Sequence, residues 1–384
     1  MKIICYRFLM QNDSKKLTVQ NIQGRGALEN PAGRFEKLTL GLDAECAQNH
    51  YDLDLDEFDT ENIQTKKRLP TQVFRDPARS IISTNDSPDL CMDTTLNPYR
   101  GCEHGCIYCY ARPTHEYLGL SVGLDFETKI FAKMDAPELL KQKLAAKSWQ
   151  PRTLMLSGVT DPYQPIERQM KITRRCLEVL LDFRNPAGII TKNQLVTRDL
   201  DIFTQMARRN LIMVNLSITT LDSNVSRLME PRASQPKLRL RAVEQLAGAG
   251  VPVGIMIGPV IPGLTDHEIP DILEAAANAG ARSAGYTIVR LPYGVKDLFQ
   301  TWVIKHFPDR AQKILNRIRS MRDGKLNDPN FNTRMRGEGF FADQIAQIFK
   351  KYKKLYGLDR GWPPLSIEHF RRNAISAQLD LFDN

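Results

Sequence analysis

Three cysteines, Cys102, Cys106 and Cys109, fall within the stretch Gly101-Cys102-Glu103-His104-Gly105-Cys106-Ile107-Tyr108-Cys109, spaced C-x3-C-x2-C. A closed structural metal site needs four protein donors, and this loop offers three thiols. Two chemistries fit that count. One is a Cys3His zinc site completed by His104 or His115, although His104 sits between two of the cysteines, where a short loop closes a tetrahedron poorly. The other is a cubane [4Fe–4S] cluster, whose four irons each want one external ligand. Three thiolates then leave one iron open, and an open metal position belongs to chemistry. The spacing favours the cluster.

Such a loop needs elements to hold it. From about residue 93, short apolar runs alternate with amphipathic helical patterns. The runs are 153–156 (TLML), 188–191 (GIIT), 211–218 (LIMVNLSI), 251–257 (VPVGIMI) and 286–291 (YTIVRL), with an earlier one ending near Asn97. Runs of this length, bounded by turns and separated by helices, predict buried parallel strands. Six such units predict an α/β fold, a partial (β/α)6 barrel, in which sites lie at the carboxyl ends of the strands. The cysteine loop follows the first strand and so falls on that face. Thr265-Asp266-His267-Glu268 fits a capping box before a helix stopped by Gly280, and Ser234 fits the cap of a helix reaching Gly250. Ile172, Cys176, Val179 and Phe183 share one helical face, which makes Cys176 a core residue.

The expected organisation is an irregular, acidic N-terminal arm (1–90), the barrel (91–295), a basic helical extension (296–372) and a flexible tail (373–384). Residues 35–62 carry nine acids against one base, and residues 305–372 carry sixteen bases against seven acids. In the extension, Ile345, Ile348, Phe349, Tyr352 and Leu355 form an apolar stripe with lysines largely away from it. No apolar run approaches the roughly 20 residues of a membrane helix, and no cleavage site follows the opening residues. These features predict a cytoplasmic protein with reduced thiols.

The C-x3-C-x2-C loop, with Tyr108 as the aromatic before the last cysteine, resembles the radical S-adenosylmethionine (SAM) superfamily. That resemblance implies a [4Fe–4S] cluster on Cys102, Cys106 and Cys109, with the methionyl amino and carboxylate groups of SAM chelating the open iron. One electron from an electron donor protein splits a carbon–sulfur bond, and the resulting 5′-deoxyadenosyl radical removes a hydrogen atom from substrate. The stretches GVTDPYQPIE (158–167), TKNQLVTRDL (191–200), SITTLD (217–222) and PVIPGLTD (259–266) are similar to the branch containing spore photoproduct lyase and DNA repair photolyase-like proteins. On this resemblance Tyr108, Ser157, Gly158, Asp161, Lys192, Ser217 and Thr219 are candidate cofactor contacts. Ser157, Gly158 and Asp161 would meet the methionyl ammonium, Lys192 the carboxylate, and the Ser217 and Thr219 hydroxyls the ribose. Arg112 and His115 are candidate catalytic residues that would face substrate or tune the cluster. One departure stands out. Spore photoproduct lyase carries a hydrogen-donor cysteine near the end of the second strand, and here that region reads Ser157-Gly158-Val159-Thr160-Asp161.

The sequence ends Gln378-Leu379-Asp380-Leu381-Phe382-Asp383-Asn384. The segment Gln378-Leu379-Asp380-Leu381-Phe382 resembles the pentapeptide by which bacterial replication and repair proteins dock on the DNA sliding clamp. Its apolar positions would fill a greasy pocket on that partner. Together with the basic extension it points to DNA. The expectation is a radical SAM enzyme abstracting a hydrogen atom from a DNA base or lesion and recruited through the clamp. Alternatives are the same chemistry on RNA or a protein side chain, or a non-enzymatic metal-stabilised DNA-binding module.

Overall fold

Strands covered on both faces need uninterrupted apolar runs, and the chain supplies them at regular intervals. The computed structural model describes residues 24–35, 69–90 and 93–372. Its strands are β1 (Gln72–Arg75), β2 (Ile82–Thr84), β3 (Thr94–Leu96), β4 (Tyr99–Arg100), β5 (Lys129–Ala132), β6 (Leu154–Leu156), β7 (Ala187–Thr191), β8 (Ile212–Ser217), β9 (Val253–Val260) and β10 (Ser283–Ile288). The helices are α1 (Leu124–Thr128), α2 (Ala136–Ala145), α3 (Glu167–Met170), α4 (Ile172–Asp182), α5 (Leu200–Ala207), α6 (Ser223–Met229), α7 (Pro236–Gly248), α8 (Ile269–Asn278), α9 (Val295–His306), α10 (Pro308–Ser320) and α11 (Phe340–Leu355).

Seven strands form one sheet in the order β10-β9-β8-β7-β6-β3-β2. The six from β3 to β10 are parallel and follow chain order, and β2 lines the β3 edge antiparallel. Among the described residues no pairing joins β10 to β2, so this is an open, partial (β/α)6 barrel. Every residue of β8 is buried, as a strand between two neighbours with covered faces requires. Cys176 is fully buried on α4, as its helical spacing predicts.

Several local expectations change. The last strand begins earlier than the run at 286–291, because its register with β9 starts at Ser283 opposite Gly254. The capping box does not form. The Thr265 hydroxyl accepts from the Ile261 amide (3.0 Å), while the Glu268 carboxylate accepts from the Thr220 hydroxyl and the Leu221 amide, both at 2.6 Å. Ser234 leaves α7 uncapped and instead accepts from the Gln194 amide at 2.9 Å. On α11 the buried stripe is Ala342, Ile345 and Phe349, whereas Ile348 and Leu355 are exposed and Tyr352 is half-buried. The contact stops past mid-helix, where the Phe349 ring meets Tyr286 of β10 at 4.6 Å.

A second, three-stranded sheet, β1-β5-β4, braces the segment that leads into and out of the cysteine loop. After α11 the chain runs as a strap beside the starts of successive barrel strands. The Ala284 amide donates to the Leu358 carbonyl, Ser366 to Asn210 and Arg371 to Phe183. Among the described residues no helix is long and apolar enough to cross a membrane.

Candidate active site

The cysteine loop follows β4 at the carboxyl end of the sheet and is held by its own backbone. The Cys102 amide donates to the Phe126 carbonyl (2.9 Å) and the Ile107 amide to Met229 (3.0 Å). Gly105 adopts a positive φ of 65°, and a Cβ on neighbouring Gly26 would lie 1.8 Å from the Gly105 carbonyl oxygen. Only glycine permits that approach.

Underneath, buried Glu127 gathers four groups, three on its carboxylate and one on its backbone carbonyl. It accepts from the Gly26 amide (3.0 Å), the Ala27 amide (2.8 Å) and Arg112 Nη2 (2.5 Å), and the Glu127 carbonyl accepts from Arg25 (2.8 Å). Arg112 is fully buried and donates to the carbonyls of Cys106 (3.0 Å), Gly105 (3.3 Å), Val122 (3.0 Å) and Gly123 (2.9 Å). Every direction its guanidinium offers is spent within the protein, on two loop carbonyls, the Val122 and Gly123 carbonyls and Glu127. His115 is also fully buried. Its Nε2 meets the Lys129 carbonyl at 3.0 Å, and the rings of Phe126 and Phe131 close around it edge-on. Burial holds its pKa down at about 4, so the ring is neutral, and its Nδ1 is buried with no hydrogen-bond partner among the described residues.

Asp161 has no lone pair to spare for a cofactor ammonium. Oδ1 accepts from the Tyr163 amide (2.9 Å) and the Thr191 hydroxyl (2.7 Å), and Oδ2 accepts from the Lys192 amide (2.8 Å) and faces His104 Nδ1 at 3.3 Å. It ties the cysteine loop to the end of β7. His104 Nε2 lies 3.3 Å from the side-chain Nδ2 of Asn193, so both of its ring nitrogens are engaged and the Cys3His alternative loses that ligand.

Thr219 is likewise committed, donating to Glu230 Oε1 at 2.8 Å. Glu230 is a carboxylate that sequence spacing did not flag. Fully buried, it accepts from the Tyr108 hydroxyl and pairs with Arg239, which also donates to the Ser217 carbonyl (2.9 Å) and the Ser234 carbonyl (2.6 Å). Burial pushes the Glu230 pKa up, but Arg239, Lys192 and the Tyr108 hydrogen bond outweigh it and leave the value at about 2. Tyr108 is thus locked by its hydroxyl. Its ring lies 5.9 Å from Lys192 Nζ, which gives one of its three hydrogens to the Gly258 carbonyl (3.0 Å) and keeps two for a ligand. Ser157 (φ 141°) and Gly158 (φ 111°) make a strained turn after β6, of the kind that functional loops retain. Tyr110, the residue after Cys109, donates to the Gly158 carbonyl at 2.5 Å and bridges the two loops.

The three thiols fit a cluster on their own chemistry. Burial raises the pKa of Cys102, Cys106 and Cys109, and nearby carboxylates or thiols add to it for Cys102 and Cys106. A cationic metal assembly reverses that balance and binds all three as thiolates.

Residues 96–276 match the model of the radical SAM superfamily. The chain belongs to this superfamily. The radical SAM chain is 31% identical over 273 residues to an uncharacterized protein of Mycobacterium tuberculosis, covering 70% of this chain and 77% of that one. It is 20% identical over 273 residues to the radical SAM Nalpha-GlyT isomerase of Pseudomonas phage M6, covering 69% of this chain and 54% of the isomerase. Among solved structures, spore photoproduct lyase complexed with dinucleoside spore photoproduct superposes with a TM-score of 0.51 at 16% identity, over 74% of this chain and 79% of the lyase. That likeness speaks for the fold. The family's cofactors are a [4Fe–4S] cluster and SAM, and the protein is a radical SAM enzyme. At the end of β6 the chain has Ser157, and its remaining described cysteine, Cys176, is buried on α4 away from the loop. The pentapeptide at 378–382 lies outside the described residues.

Proposed function

We propose that the enzyme acts on a DNA base or lesion, in the cytoplasm, fed by an electron donor protein and brought to DNA through the sliding clamp by residues 378–382. In this reading Cys102, Cys106 and Cys109 hold the cluster, and Lys192, with the turn at Ser157 and Gly158, receives SAM. When bound, the pair supplies one-electron cleavage of SAM and hydrogen-atom abstraction. Glu230, Tyr108 and Arg239 fix the loop's outer wall, while Arg112 and Glu127 fix its floor.

The observation that supports nucleic acid is a set of exposed rings around the loop. Tyr110 is 49% exposed, Tyr117 75%, Phe35 60% and Tyr293 59%. Phe35 stacks on Tyr117 at 5.5 Å, and the Arg34 guanidinium lies 3.6 Å from the Tyr293 ring centre. Exposed aromatics interleaved with arginine are the surface on which unstacked bases rest. The lyase complex, whose name includes a dinucleoside, points in the same direction.

The test is anaerobic reconstitution with reductant, SAM and strands deuterated at candidate positions. Deuterium arriving in 5′-deoxyadenosine from DNA supports the reading. Transfer from RNA or from a protein substrate, with none from DNA, overturns it.

A further inference from the structure

The open side of the barrel, between β10 and the β2–β3 edge, is crossed by a loop of the C-terminal extension. The Ile288 amide donates to the Met335 carbonyl (2.9 Å), and Arg334 pairs with Asp89 at 2.5 Å on the far side of the gap. Arg322 holds the loop from behind, donating through Nη2 to the Val289 carbonyl (2.6 Å) and the Arg334 carbonyl (3.2 Å). Its Nε and Nη1 are buried and have no hydrogen-bond partner among the described residues. Such donors are costly unless an acceptor arrives.

Beside it, at the carboxyl end of β10, stands Arg290. It is half-buried, and among the described residues its hydrogen-bonding contact is the Met335 thioether, at 3.5 Å. Its guanidinium lies 5.4 Å from the centre of the Tyr110 ring, which follows directly on the third cysteine. The neighbouring carboxylates are already engaged: Asp89 by Arg334, and Asp328 by the Thr333 hydroxyl and the Asn330 amide. Burial lowers the pKa of both Arg290 and Arg322 and the nearby guanidinium charges add to it, with Asp328 and Asp89 offsetting part of the fall. An anion relieves both effects.

We propose that Arg290, backed by Arg322, is a phosphate subsite at the open side of the barrel, binding a phosphodiester of the substrate strand next to the cysteine loop. The planar guanidinium fork suits phosphate oxygens. As a phosphodiester site it rests on the DNA reading above; as a phosphate site it stands apart from it.

The experiment uses full-length reconstituted enzyme and a fluorescein-labelled DNA strand, read by anisotropy across a salt series. Arg290→Gln is expected to weaken binding about tenfold, the loss of one charge-assisted contact, and to reduce the salt slope by about 0.7. A neutral methylphosphonate placed at one position of the strand should reproduce the loss for wild type, and on that strand Arg290→Gln should cost nothing more. Equal loss on every methylphosphonate strand, or an unchanged slope, overturns the subsite. Should Arg290→Gln lose its melting transition, Arg290→Lys takes its place, keeping the slope while losing affinity; an unchanged affinity then overturns the subsite. Inorganic phosphate and thymidine monophosphate form the second arm, by calorimetry. If no strand binds but either anion does, and Arg290→Gln abolishes it, the subsite stands and the DNA reading falls. If neither arm shows binding, the subsite is overturned.

Discussion

At the scale of single residues, the buried ionisable groups around the loop are the most exacting part of the design. Glu230→Ala leaves the Arg239 cation buried without its partner and releases Tyr108. Breaking a buried pair from one side costs about 3–5 kcal/mol, so the unfolding free energy obtained by denaturant titration should fall by that amount; a loss below about 1 kcal/mol would contradict the pairing. His115 makes a pH prediction. Its folded pKa, about 4 against an ordinary 6.5, means that the unfolded chain binds the proton first as pH falls. The stability it contributes is therefore complete above pH 6.5 and drains away between 6.5 and 4, by about 3 kcal/mol at most. A His115→Phe variant should show a correspondingly flatter stability profile over that interval, and an unchanged profile counts against the neutral, buried ring. The three thiols were legible from spacing alone, because their chemistry is local. Asp161 is singled out by its place after the second strand, but spacing cannot say that protein donors occupy its lone pairs. Glu230 was not legible at all: it lies 122 residues from the hydroxyl it receives, and nothing around it announces the pairing.

At the scale of elements, apolar runs predicted the six parallel strands because burial on both faces leaves no alternation to misread. The small β1-β5-β4 sheet escaped notice for the opposite reason. Its strands are short and half-buried, and β1 pairs with β5, 57 residues later, in register Gln72 to Lys129. The segment 24–35 reads as turn-formers, yet it is the piece that closes the floor of the cysteine loop through Glu127. A methyl group at Gly26 collides with the Gly105 carbonyl, a backbone atom that cannot step aside. Gly26→Ala should therefore cost about 1–3 kcal/mol and, because the strain falls on the loop itself, lower the iron retained per chain after reconstitution. Gly33→Ala, where an added methyl meets nothing within 4 Å, is the matched control and should retain iron as wild type does. Equal iron in both variants would remove the segment from any part in holding the loop.

At the scale of the whole molecule, the two ends of the barrel have different occupants. The cysteine loop lies at the carboxyl ends of the strands. The strap lies at the amino ends, with Arg282 donating to the Gly361 carbonyl and Trp362 packed where Gly254 leaves room. It finishes with Arg372 donating to the Trp149 carbonyl, just before β6. The proposed clamp peptide starts six residues beyond Arg372, and the five intervening residues span at most about 18 Å. Tethering acts through effective concentration, which short linkers raise to the millimolar range. With DNA loaded in clamps at concentrations well below its own affinity for the enzyme, deleting residues 378–384 should lower the rate of 5′-deoxyadenosine formation about 100-fold. The same deletion should leave the rate on saturating free DNA unchanged, because no residue of the loop or its supports is touched. A deletion that slows both reactions equally assigns the tail to the fold, and one that slows neither removes the clamp from the account.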